Sequence, residues 1–101
     1  MSYVNAAIKY QEQTIQDKFE IYHQDNPHVY ELFKKYARMA RDRGFNKFSA
    51  KAIFERLRWH YMIETSGDVF KLNNNYTAHY ARMLMDDDEA FDGFFETRER
   101  K

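Results

Sequence analysis

Apolar residues recur at helical spacing along most of the chain, and they predict four helices. The first is expected over residues 4–24, where one face carries Ile8, Ile15, Phe19 and Tyr22. The triplet Asp25-Asn26-Pro27 ends this helix and starts the next, because asparagine is a favoured N-cap and proline suits a first helical turn. This boundary is the clearest in the sequence.

The second and third helices carry the widest apolar stripes. The second is predicted over residues 27–43, with Gly44 as its C-terminal stop, and its inward face consists of Val29, Tyr30, Phe33, Tyr36, Ala37 and Ala40. After a link at residues 45–48, Ser49 is expected to cap a third helix that runs to about Glu64, and the inward face of this helix consists of Ala50, Ile53, Phe54, Leu57 and Tyr61. Trp59 lies outside that stripe, and we expect another element to cover it, since lone exposed tryptophans are uncommon.

The C-terminal third contains a fourth predicted helix and an apolar tail. Residues 73–75, all asparagine, offer caps for this helix, which turns Tyr76, Tyr80, Met83 and Leu84 inward. The tail residues Phe91, Phe94 and Phe95 are too apolar to remain in water, so we expect the tail to fold back onto the core. Residues 69–72 and 94–97 are long enough to pair as short strands, although four residues do not decide it.

These elements define the predicted fold class, which is mainly α. We expect a compact bundle of about four helices with a helix-turn-helix-like centre, with or without a short two-stranded, winged-helix-like β element near the C-terminus. The 101 residues fit one small helical domain, residues 1–101.

Composition narrows the class of protein. Apolar residues make up 44% of the chain, which has three glycines and one proline, as is typical of a globular protein and not of a disordered one. The absence of cysteine excludes a disulfide framework, a thiolate metal site and a cysteine nucleophile. The sequence shows neither a signal-peptide pattern nor a run of apolar residues long enough to span a membrane, so we expect a cytoplasmic protein.

Charge is unevenly distributed, although the formal net charge is zero. Residues 34–58 contain nine basic and two acidic residues, a local balance of +7, whereas residues 86–96 contain six acidic residues and no basic one. The basic middle suits contact with phosphates. Two separately solvated faces remain an equally good interpretation of the same pattern.

Catalytic and metal-binding motifs are not apparent. The four histidines are His23, His28, His60 and His79, and no two of them have the i,i+4 spacing of a helical metal site. The HExxH, calcium-loop, P-loop, GxSxG and dinucleotide-binding patterns are also missing. We therefore predict neither an enzyme nor a cofactor.

The order of helix, glycine-containing link and capped helix is the outline of a helix-turn-helix, with the third helix in the position of the recognition helix. A capped helix N-terminus attracts phosphate. Phosphate contacts to double-stranded DNA are predicted for Lys34, Lys35, Arg38, Arg41 and Lys47, and contacts nearer the bases for Lys51, Arg56 and Arg58. A plain helical hairpin has the same outline, and the link at residues 44–48 is longer than the tight turn of the motif.

Three segments, SAKAIFERLRW, FKLNNNYTAHYAR and FFETRER, occur in this order, and together they resemble a group of short uncharacterised bacteriophage and prophage proteins. The resemblance covers roughly residues 17–100. It implies a phage or mobile-element setting in the cytoplasm of a bacterial host, and it implies no particular activity.

A protein-interaction module is the alternative function. The chain is rich in aromatic residues, including Trp59 and a phenylalanine-rich tail, and its two charged regions are complementary. Such a module binds a host or phage protein, or it forms a homodimer in which the basic middle of one subunit faces the acidic tail of the other.

Overall fold

Four α-helices make up most of residues 14–96, the part of the chain that the computed structural model describes. They are α1 (Ile15–Asp25), α2 (Pro27–Asp42), α3 (Ala50–Trp59) and α4 (Thr77–Asp87). A π-helical turn, His60–Glu64, continues α3, and the 3-10 turns Asn74–Tyr76 and Glu89–Phe91 flank α4. The predicted helical residues 4–13 lie outside the described part.

Side-chain caps and one glycine set several helix ends. Thr14 and Asp17 form a capping box at the start of α1, in which each side chain accepts a 3.1 Å hydrogen bond from the other residue's backbone N–H. Ser49 caps α3 as predicted, since its Oγ accepts a 3.1 Å hydrogen bond from the N–H of Ala52. Gly44 follows α2 with a φ of +113°, in the region that favours glycine.

Asn26 connects α1 to α2, but its side chain does not cap α2 as predicted. Its Nδ2 instead donates a 3.1 Å hydrogen bond to the carbonyl oxygen of Tyr22, near the C-terminal end of α1. That carbonyl belongs to the last turn of α1 and also accepts a 2.9 Å hydrogen bond from the backbone N–H of Asn26. The asparagine therefore stabilises the end of the first helix instead of the start of the second.

Aromatic side chains from all four helices form the core, and Tyr80 of α4 is at its centre. Tyr80 is fully buried, with its ring centroid 4.8 Å from that of Phe19 in an edge-on contact. The rings of Phe33 and Phe54 lie 6.0 and 5.7 Å from it. The buried core residues of the helices and the 3-10 turn before α4 are Phe19, Val29, Tyr30, Phe33, Ala37, Ala40, Ile53, Phe54, Leu57, Tyr61, Tyr76, Tyr80, Ala81 and Leu84.

Most predicted inward positions are buried or half-buried, but Ile15 is exposed, and so is Trp59, which was predicted to be covered by another element. Ile15 is exposed, and α1 meets the core through Phe19 and the half-buried Tyr22. Trp59 is 56% exposed, so the expectation that another element covers it is wrong for the described residues. Trp59 points away from the α3 face that packs on the core.

The tail after α4 returns to the core, as predicted. Phe91, Phe94 and Phe95 are all buried. The guanidinium of Arg41 on α2 lies 4.7 Å from the ring centroid of Phe91, and the ring of Phe95 lies 5.4 Å from that of Phe33. Aromatic burial therefore fixes the acidic segment against α2.

The predicted pairing of residues 69–72 with residues 94–97 is not seen, and residues 14–96 contain no strand. Phe95 forms a single parallel bridge with Phe48, where the Phe48 N–H donates a 3.0 Å hydrogen bond to the carbonyl of Phe94. Phe70 packs elsewhere, 4.8 Å from the ring of Tyr61. Residues 69–72 and 94–95 therefore pack against different aromatic residues and do not pair with each other. Thr97 lies outside the described residues.

Candidate interaction surfaces

The eight basic residues predicted to contact DNA occupy several different surfaces. Lys35 and Arg38 lie on the exposed side of α2, and the Nζ of Lys35 is 5.9 Å from the ring centroid of Tyr36. Lys34 and Arg41 lie at the edge of α2 and are half-buried. The remaining four belong to α3 or the link before it, on two opposite flanks of that helix.

Lys34 and Arg41 make contacts within the protein. The Nζ of Lys34 lies 2.9 Å from a carboxylate oxygen of Glu31 and 4.7 Å from the ring centroid of Tyr30. Arg41 covers the ring of Phe91. These two cations therefore already have partners, one in α2 and one in the C-terminal segment.

Asp87 and Tyr30 connect the acidic segment to α2. The Tyr30 hydroxyl donates a 2.6 Å hydrogen bond to Oδ2 of Asp87. Burial of the ring, followed by this bond to a carboxylate, raises the pKa of Tyr30 well above the usual value for tyrosine. Within residues 14–96, no carboxylate of residues 86–96 forms a salt bridge with the basic residues of α2 or α3.

Lys47, Lys51 and Arg58 come together along the flank of α3 that faces α4. Lys47 and Lys51 line a cleft of about 690 Å³ with Thr77 and Glu96, next to the capped start of α3. Lys51 and Arg58 line an adjoining cleft of about 300 Å³, together with Glu55, Asn74 and Thr77. Three of the eight predicted residues thus share one surface, which also contains two carboxylates.

Arg56 lies on the opposite flank of α3 and is paired with Glu64. Its two terminal nitrogens donate hydrogen bonds of 3.0 and 3.1 Å to the two carboxylate oxygens, and the Nδ1 of His60 lies 3.1 Å from the same carboxylate. The bonds from Arg56, followed by the contact with His60, lower the pKa of Glu64. The guanidinium also stacks over Tyr36, 4.9 Å from the ring centroid, so that Arg56 bridges α3 and α2.

An apolar groove of about 500 Å³ runs between α2 and α3 on this flank. Its lining residues are Tyr36, Met39, Ala40, Arg43, Phe45, Phe48, Ala52, Ile53 and Arg56. Phe45 and Met39 project into it while remaining 49% and 57% exposed, and the only charged lining residues are the two arginines. The floor at Ala40 and Ile53 is buried, so the groove is already formed in the folded chain.

Exposed apolar residues continue beyond the groove along the outer side of α3. Trp59 follows Ala52 by seven positions and Ile63 follows Trp59 by four, spacings that keep the three residues on one side of a helix. Trp59, Met62 and Ile63 are all more than half exposed. We call the groove and the adjoining Trp59 and Ile63 the apolar strip.

The sequence carried only part of the signal for the apolar strip. Trp59 stood out because it falls outside the inward stripe of its helix, but it was expected to be covered. Met39 and Phe45 were missed as surface residues. Both are apolar residues near Gly44 that lie outside the predicted inward faces, and that pattern is the signal that could have identified them.

Residues 14–96 contain neither a metal-binding cluster nor a membrane-spanning helix. No group of three or more histidine, aspartate or glutamate side chains in this range is arranged to hold a metal ion. None of the helices in the described part combines the length and the apolar character needed to cross a bilayer.

Comparisons with models of protein families, with curated proteins and with solved structures found no match. The chemistry of the surfaces is therefore the basis for assigning a function. Two surfaces have a definite character: the apolar strip, and the cleft flanked by Lys47, Lys51 and Arg58.

Proposed function

We propose that the protein is a non-enzymatic interaction module that binds another protein through the apolar strip. The main support is the exposure of Trp59, Met39 and Phe45 beside a formed groove. Burial of apolar surface contributes about 25 cal/mol per Å², which makes an exposed groove of this kind favourable to cover. Contiguous exposed apolar residues are typical of interaction sites, and tryptophan is enriched among residues that dominate binding energy.

The helical framework supports the same function, because the strip is built on rigid elements. Ile53 and Ala40 anchor α3 and α2 in the core directly beneath the groove. The bidentate pair of Arg56 and Glu64 and the stacking on Tyr36 hold one end of the groove. A partner that enters the groove therefore meets a surface that needs little reorganisation, which reduces the entropic cost of binding.

Affinity capture with matched variants tests this function. The wild-type protein is expected to retain a bacterial protein that the double variant Trp59→Ala, Met39→Ser does not retain. The control is Ile21→Ser, Val69→Ser, which removes two exposed apolar residues that lie outside the strip. Equal recovery of captured proteins with the strip variant and with the wild type would contradict the function.

A second candidate is DNA binding of the helix-turn-helix type, with α3 as the recognition helix. It is supported by Lys47 and Lys51 beside the capped N-terminus of α3, and by Arg58 and Asn74 in the adjoining cleft. The contacts predicted for Lys34, Lys35, Arg38, Arg41 and Arg56 stay predictions. Arg56 would first have to exchange its bonds to Glu64 for bonds to DNA.

Fluorescence anisotropy with random-sequence duplex DNA tests this second candidate. Binding is expected to weaken steeply as salt is raised. The triple variant Lys47→Ala, Lys51→Ala, Arg58→Ala should reduce the slope of log affinity against log salt concentration, by an amount that corresponds to the loss of up to about three phosphate contacts. The control is Lys18→Ala, Lys71→Ala, which removes positive charge outside this cleft. Absence of binding at low salt would eliminate the candidate.

A further inference from the structure

The charges around the groove restrict the chemistry of its occupant. The groove is lined by apolar side chains and by two charged ones, Arg43 and Arg56, both of which are basic. A segment that fills the groove must therefore present apolar side chains to its floor, and charged residues at its edge meet guanidinium groups. Carboxylates are complementary to this edge, whereas lysine or arginine would be repelled.

The pair of Arg56 and Glu64 shows how a carboxylate is held at this edge. Both oxygens of Glu64 accept hydrogen bonds from the guanidinium, which is stacked on Tyr36. Arg43 lines the same groove and is exposed, and it forms no ion pair within residues 14–96. Arg43 is therefore the guanidinium that remains available for a carboxylate from outside.

The length of the apolar strip indicates the shape of the occupant. Ala52 and Ile63 are separated by eleven positions, which span at most about 16 Å, because the rise is 1.5 Å per residue in α3 and smaller in the π-helical turn that contains Ile63. A partner helix that covers this distance makes about three turns, with apolar residues at i, i+3 or i+4, and i+7. Grooves between two packed helices commonly bind amphipathic helices in this way.

We propose that the occupant of the apolar strip is an amphipathic helix of a partner protein, with apolar residues along about three turns and an aspartate or glutamate that pairs with Arg43. This inference rests on the proposed interaction function and specifies the partner's chemistry. Trp59 and Ile63 contact the end of the helix that extends beyond the groove. Arg43 selects acidic helices over basic ones.

Two synthetic 16-residue peptides serve as probes. Both carry leucines at the apolar positions, and the flanking positions are glutamate in one and lysine in the other; neither contains tryptophan. Trp59 is the only tryptophan of the protein, so a blue shift of its emission reports coverage of the strip directly. The glutamate peptide is expected to shift the emission and to bind at least about tenfold more tightly than the lysine peptide, the ratio that corresponds to 1.4 kcal/mol.

Charge reversal identifies the residue that selects the peptide. Arg43→Glu is expected to reverse the preference, so that the lysine peptide binds more tightly. Arg82→Glu is the matched control, because Arg82 is exposed on α4 and does not line the groove. It should preserve the preference for the glutamate peptide.

Several results would overturn this inference. Equal affinity for the two peptides, or binding of neither, would exclude an acidic helix as the occupant while leaving the capture experiment to decide the interaction function. A dimer detected by light scattering and abolished by Trp59→Ala would show that a second copy occupies the strip. A shift of Trp59 emission with duplex DNA and not with the glutamate peptide would favour nucleic acid.

Discussion

The hydroxyl of Tyr30 donates a 2.6 Å hydrogen bond to Asp87 across fifty-seven positions of the chain. This hydrogen bond joins α2, which contains the first residues of the basic region, to the start of the acidic segment at the end of α4. No salt bridge accompanies it among the described residues. The tyrosine ring is buried in the core, whereas the carboxylate remains in contact with solvent. The bond therefore orients the end of α4 relative to α2.

Tyr30→Phe is expected to lower the free energy of unfolding by about 1 kcal/mol, because the substitution removes a hydrogen bond while keeping the ring. Asp87 is exposed and regains water, which limits the loss. Urea denaturation followed by circular dichroism measures the difference. An unchanged midpoint in the variant would show that the bond contributes nothing to stability.

Tyr80→Phe is expected to have the opposite effect. The Tyr80 hydroxyl is buried and has no hydrogen-bond partner within residues 14–96. An unsatisfied buried hydroxyl costs about 1 to 3 kcal/mol, so its removal should raise the free energy of unfolding by about 1 kcal/mol. The same denaturation experiment provides the comparison, and Tyr30→Phe is the matched control. A loss of stability in Tyr80→Phe would contradict this prediction.

Alkaline pH is expected to destabilise the fold through Tyr61. Burial of the ring, followed by the nearby Tyr22 and Tyr36, raises the pKa of Tyr61 to about 12 from its ordinary value of 10.0. The folded state therefore favours the neutral phenol. The resulting stability is complete below pH 10 and is lost as the pH rises from 10 to about 12.

Urea midpoints measured at several pH values from 8 to 12 check this loss. Tyr61→Phe should reduce the fall of the urea midpoint as the pH rises. The remaining fall should come from Tyr30 and Tyr80, whose pKa values are also raised by burial. Phenolate absorbance near 295 nm provides an independent measure of ionisation. A decline in Tyr61→Phe as steep as that of the wild type would exclude a contribution from Tyr61.

Glu64→Gln is expected to strengthen binding of the glutamate peptide by a few-fold. Glu64 competes with an external carboxylate for Arg56, and glutamine accepts weaker hydrogen bonds from the guanidinium. Titration followed by Trp59 emission measures the affinity. The control is Glu55→Gln, which removes a carboxylate on the opposite flank of α3. Weaker binding by Glu64→Gln would indicate that the internal pair organises the groove instead of competing for it.

Glu64 also predicts a response to acid. Because Arg56 lowers the pKa of this carboxyl in the folded protein, the stability that comes from the pair is present above the ordinary pKa of 4.5 and is lost as the pH falls through the lowered value. Nuclear magnetic resonance titration of the Glu64 side chain measures this pKa directly.

Helical periodicity predicted most of the fold. The α2 positions Val29, Tyr30 and Phe33 and the α3 positions Ile53 and Leu57 are buried as expected, because long amphipathic helices place their apolar residues by geometry alone. The short apolar segments were harder to place. The sequence does not show which aromatic side chains residues 69–72 and 94–95 contact, because tertiary packing determines those contacts.

Less of the candidate site could be predicted from the sequence. Charge counts located the basic region, but they could not show that Arg56 is bound by Glu64, since the two residues are eight positions apart and helical ion pairs are usually sought at i+3 or i+4. The π-helical turn at His60–Glu64 lies between them. The exposure of Trp59 likewise depends on which elements pack nearby, and the pattern along one helix does not contain that information.

The bridge between Phe48 and Phe95 has a consequence for the order in which the protein matures during synthesis. Phe48 lines the groove, and its backbone N–H is held by the carbonyl of Phe94. A nascent chain contains α2 and α3 well before residues 94–95 have left the ribosome. The groove therefore reaches its final shape only after residues 94–95 have been made and have packed beside Phe48.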